Sequence, residues 1–170
     1  MASTFAVAKY TGTAPGTRNA GMNYLHLINQ DTVANGATDY QSVAANQITV
    51  PTSGNVYSYE CWFRGEWTGT YNEITAFKIW RSAGPTNGSN GLTWKIGTVV
   101  QASYTTPVNT ASAVATDSTF ESEGAAVSVA VTGASPNTVS DLMCLQLTVA
   151  STAGPGDVGE TTYSLKWTES

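Results

Sequence analysis

A period of two runs through VYSYECWFRGEWT, residues 56–68. Tyr57, Tyr59, Cys61, Phe63 and Trp67 fall on one side of an extended chain. Ser58, Glu60, Arg64 and Glu66 fall on the other, with Trp62 among them. Successive side chains of a strand point to opposite faces, so the pattern predicts a strand with one apolar and one polar face. The alternation returns in LTWKIGTVVQ (92–101), which puts Leu92, Trp94, Ile96 and Val100 in step. It returns again in TTYSLKWT (161–168), where Tyr163, Leu165 and Trp167 alternate with Thr162, Ser164 and Lys166. No stretch carries apolar residues at the spacing of an amphipathic helix.

The other segments extend this reading. TFAVAKY (4–10) reads as a first strand or as an arm. MNYLHLIN (22–29) reads as a strand with Tyr24, His26 and Ile28 on one face, and NQITV (46–50) as a strand that ends at Pro51. EITAFKIWR (73–81) follows the connection GTYN and predicts an antiparallel partner for 56–68, with Phe77 and Ile79 opposite to Ala76, Lys78 and Trp80. AVSVAV (126–131) is a short strand. VSDLMCLQLTVA (139–150) is apolar on both faces, as a central strand is. GPTNGSNG (84–91) and TAGPGDVGE (152–160) are turns, and the Thr-, Ser- and Ala-rich stretch 103–124 is a long crossover. About eight strands predict an all-β chain, an antiparallel β-sandwich of jelly-roll-like form. The 170 residues suit one core, over 21–170, with 1–20 as an N-terminal arm or first strand.

Composition excludes several functions. Seven basic residues in a chain of net charge −5 build no positive patch for nucleic acid. No window is apolar enough to span a membrane, and the N-terminus lacks a secretory pattern, so the chain is expected to be made and used without export. Cys61 and Cys144 sit mid-strand. A disulfide across two sheets is open to them, and two buried thiols in a reducing compartment is the favoured reading. His26 is the sole histidine and no serine sits in a G-x-S-x-G elbow. Glu60, Glu66 and Glu73 lie near several tryptophans, as in a sugar site, but Glu60, Arg64 and Glu66 interleave like a solvated face with cross-strand ion pairs. The acidic loops FESEG (120–124) and GPGDVGE (154–160) match no EF-hand. No catalytic residue, metal or cofactor is expected.

Three of the five tryptophans and three of the seven basic residues fall within 59–82. Trp67 is in phase with the apolar face and belongs to the core. Trp62 and Trp80 share faces with charge. Either they cover the second face of a sheet or they are exposed, and exposed tryptophan beside charge marks a contact surface. The candidate interface is Trp62, Arg64, Lys78, Trp80 and Arg81, with Phe5 and Arg18 from the N-terminal segment.

The run SYECWFRGEWTGTYNEITAFKIWRSAG (58–84) resembles one found in tailed-phage virion proteins, in which a strand of the form EKWFRLKFTGTFN leads to I-x-N-x-KFW and a Ser-Gly turn. Glu60, Trp62, Phe63, Arg64, Thr68, Gly69, Thr70, Asn72, Ile74, Lys78 and Trp80 match. Looser similarity continues through 104–112 and 145–169. Cys61 departs where the pattern has a basic residue, and Trp67 where it has Phe. The resemblance implies a capsid decoration (cement) protein or a related head or tail accessory, with no catalytic residues. It further implies the major capsid protein as partner, a homotrimer, and a place on the virion's capsid surface after assembly in the host cytoplasm, with neither nucleic acid nor membrane as partner. The rival is a carbohydrate- or receptor-binding β-domain of a fibre, or another tail or baseplate protein. Coplanar exposed Trp62, Trp80 or Trp94 would favour the glycan form.

Overall fold

The computed structural model describes residues 2–22, 25–29, 31, 47–154 and 161–170. Among them the regular elements are eleven strands and single turns of 3-10 helix. The strands are β1 Ala2–Thr11, β2 Thr17–Ala20, β3 Asn55–Tyr57, β4 Cys61–Thr70, β5 Ile74–Ala83 and β6 Leu92–Val99. They continue with β7 Val127–Ser128, β8 Val131–Ala134, β9 Asn137–Ser140, β10 Leu142–Ala150 and β11 Thr162–Glu169. An eight-stranded sheet runs β2-β1-β4-β10-β3, with β6 on the free side of β10 and β9 and β8 beyond the far half of β4. A three-stranded sheet runs β11-β5-β7. Every pairing is antiparallel. The class is the expected all-β sandwich, with eleven strands rather than about eight, split eight to three. The strands β2, β8 and β9 are four residues long, too short for alternation to reveal; the expected strand over 126–131 is cut to β7, and the one expected over 56–68 divides into β3 and β4 with 58–60 between them.

The sheets enclose Phe63, Trp67, Phe77, Ile79, Trp94, Ile96, Met143 and Leu145. Trp67 meets Phe77 edge-on at 4.9 Å, and Trp167 of β11 stacks on Phe5 of β1 at 4.7 Å, closing one side. β10 lies between β3/β4 and β6, and eight of its nine residues are buried, as a strand apolar on both faces requires. β5 must bury Ile74 together with Phe77 and Ile79, which have the opposite parity. One extra residue, Ala76 at φ 53°, forms a bulge opposite Lys166–Thr168 and resets the phase.

The large sheet is covered on its outer face too. The crossover after β6 lays Tyr104, Val114 and Ala115 over Trp62, Leu142 and Cys144. Its backbone passes so close to β6 that a Cβ on Gly97 would sit 1.9 Å from the Val114 carbonyl oxygen. Only glycine permits that approach.

Several expectations need correction. Of the two readings of the N-terminal segment, first strand or arm, residues 2–11 take the first: β1 pairs with β4 at nine successive positions. The Gly and Pro content that reads as an arm sits in the β1–β2 turn, where Gly12 and Gly16 take positive φ. Residues 25–29 and 47–50 are irregular. Leu25, Leu27, Ile48 and Val50 still pack on the core, so the alternation records burial without a ladder partner. Tyr24 and Asn46 lie outside the described residues. Cys61 faces the inter-sheet core and Cys144 the outer one, so both thiols are buried and free.

Candidate interaction surface

Trp62 is fully buried, and this corrects its place in the candidate interface. Its indole Nε1–H donates to Glu60 Oε2 at 3.1 Å and its ring meets Tyr104 edge-on at 5.4 Å. Glu60 is also buried, against the solvated face expected of it. Its other oxygen accepts from Ser112 Oγ at 2.5 Å, and Ser112 Oγ accepts from the backbone N–H of Val114 and Ala115. Gln146 completes the knot: its amide donates to the Ser58 and Thr110 carbonyls and accepts from Ser112 N–H. A buried carboxylate is tolerable only when hydrogen-bonded, and here those bonds fasten the crossover to the sheet. Ser112 and Tyr104 had no signal in a patternless segment. Gln146 had one, as a lone polar residue inside an apolar strand.

Glu66 is buried between two arginines. Arg64 Nε and Arg18 Nε each donate to it at 2.9 Å, and Arg18 Nη2 adds a second bond. The Arg18 hydrogen bond is the largest cause holding the Glu66 carboxyl below its ordinary range, with Arg64 adding to it. The expected cross-strand pair therefore exists, buried rather than solvated. Arg64 also reaches Gln101 at 2.9 Å and lies over the Tyr10 ring. The Arg18 side chain keeps 48% exposure.

Arg81 is buried too, and leaves the candidate surface. It pairs with Glu121, donates to the Pro85 carbonyl and stands 4.7 Å over the buried Trp94 ring. Phe5 sits at the edge of the inter-sheet core against Trp67 and Trp167. The acidic loop 120–124 is spent on basic partners: Glu121 on Arg81 and the Asn87 N–H, and Glu123 on two lysines. The second acidic loop, 154–160, lies outside the described residues except for Gly154.

Lys78 and Trp80 remain, half-exposed on the outer face of the three-stranded sheet. Lys78 and Lys166 are cross-strand neighbours, and Glu123 bridges them at 2.9 and 2.6 Å. Lys166 first, then Lys78, lowers the Glu123 carboxyl to about 2. The Lys78 ammonium lies 6.0 Å from the Trp80 ring centre. This patch carries two positive charges and one negative on a chain of net −5.

No protein-family model, curated protein or solved structure matches the chain. With Trp62 and Trp94 buried, the coplanar tryptophan platform of a glycan site is not formed. No helix among the described residues is long and apolar enough to cross a membrane. His26, Glu60 and Glu66 line neither of two open grooves, of about 400 and 720 Å³.

Proposed function

We propose that the chain is a structural protein of a tailed-phage virion, a capsid decoration (cement) protein that binds the outer surface of the assembled capsid. One observation carries the reading. The 58–84 run that resembles virion proteins forms β4 and β5, which are not the antiparallel partners the sequence predicts but lie in different sheets, so that the turn between them joins one sheet to the other. Its Glu60, Arg64, Glu66 and Arg81 are spent inside the domain, while Lys78 and Trp80 stand on an outer sheet face. That is the economy of a rigid scaffold that presents a surface.

Such a protein stabilises a shell by mass action. It binds the lattice and not the free subunits, so each bound copy adds its binding free energy to the assembled state. A homotrimer on local symmetry axes, contacting the major capsid protein beneath, suits the role. The test is to add the protein to undecorated capsids and image them. Density on the outer surface, reduced tenfold or more in occupancy by Lys78→Glu with Trp80→Ala, supports the reading. Density on the tail alone overturns it.

A further inference from the structure

The larger groove lies where the two sheets part. β7 pairs with β5 only at Lys78 and Ile79. Val129 N–H still donates to the Phe77 carbonyl at 2.9 Å, and the chain then crosses to the large sheet as β8, which pairs with β9 alone. Among the described residues two strand edges have no strand beside them, the side of Ile74–Ala76 in β5 away from β11 and the side of Val131–Ala134 in β8 away from β9, and both line the groove. Its walls include the small residues Ala76, Ala130, Gly133 and Ala134, and its volume is about 720 Å³, within the ~300–1,000 Å³ of ordinary binding sites. Glu73 lines it as well, and among the described residues makes no ion pair.

We propose that this groove receives an extended segment of a separate protein chain, added as a strand beside β5 and β8, with a basic residue set against Glu73. An open strand edge offers alternating donors and acceptors at the spacing of another strand, here along Val131–Ala134 and, short of the Ala76 bulge, at Ile74 and Thr75. The small wall residues leave room for the incoming side chains. Among the described residues Glu73 is the only ionisable side chain lining the groove, so a segment that covered it without a positive charge would leave a carboxylate desolvated. The inference goes beyond the decoration reading and stands without it.

The probe is the peptide acetyl-Lys-Val-Thr-Val-Thr-amide, titrated into the whole protein while backbone amide shifts are followed by NMR. Shifts should concentrate at residues 73–76 and 130–134. The peptide with Glu in place of Lys should bind at least tenfold more weakly, and Glu73→Gln should remove that preference. Ala130→Trp should block binding with the melting temperature unchanged. Absence of shifts at millimolar peptide, equal binding of the two peptides, or shifts that Ala130→Trp leaves intact would each overturn the proposal. So would sedimentation showing self-association that Ala130→Trp abolishes, because the occupant would then be a second copy of this chain.

Discussion

Glu60, just before β4, and Glu66, within it, are six residues apart, and each is kept from water by a different device. Glu60 is held by neutral donors, Trp62 and Ser112, and Glu66 by two guanidinium groups. The devices predict different responses. Ser112→Ala removes a donor from Glu60 and the acceptor that Val114 and Ala115 use. Leaving buried polar groups unsatisfied costs about 1–3 kcal/mol, so the urea midpoint should fall and amide exchange over 104–117 should quicken. Unchanged exchange there would show that the crossover is held by packing alone. Glu66 should respond to pH. Its folded-state pKa lies below 4.5, so the stability from pairing is present above that value and is lost as pH falls through the depressed one. The stability gap between wild type and Glu66→Gln should therefore narrow as pH drops below about 4.5. A gap constant from pH 7 to pH 2 would count against the ion pair.

Among the elements, β1 makes the sharpest prediction. It pairs with β4 at nine positions and buries Ala8, Lys9 and Tyr10, so deleting residues 1–20 should abolish cooperative unfolding. A soluble truncation with an intact melting curve would make β1 peripheral. This strand also marks what the sequence made legible. TFAVAKY supported strand and arm equally, because Gly and Pro in the following turn coloured the whole segment. Strands of eight residues with one face more buried than the other, β6 and β11, were readable from period two, and β10 from its unbroken apolarity, whereas 56–68 read as a single strand with one polar face is β3 and β4 with a break at 58–60 and burial on both faces of β4. The β5 bulge left a trace in the conflicting parity of Ile74 and Phe77, but no period could say which residue would loop out. The fate of Trp62 was illegible for a physical reason. Its cover comes from a crossover whose contacts are hydrogen bonds to backbone and one serine, and such contacts impose no periodicity on a sequence. Trp80, on the same parity argument, has no crossover above it among the described residues and stays half-exposed.

At the scale of the molecule, charge and apolar contact should separate in the proposed docking to a capsid. The chain carries a net −5, yet its outer Lys78–Glu123–Lys166 patch is locally positive, so a decorated lattice has to present basic ground to most of the protein and acidic or neutral ground to this face. Exposed charges interact over a screening length of ~10 Å at 0.1 M salt and ~3 Å at 1 M, and such contacts chiefly set the rate of encounter. Trp80 gains by desolvation, which salt does not screen. Raising salt from 0.1 to 1 M should therefore slow association with undecorated capsids at least tenfold while leaving dissociation nearly unchanged. Trp80→Ala should do the reverse, quickening dissociation equally at both salts. Surface plasmon resonance on immobilised capsids reads both rates. If salt and Trp80→Ala act on the same rate constant, or if neither alters binding, the sheet face of β5 and β11 is not the docking surface.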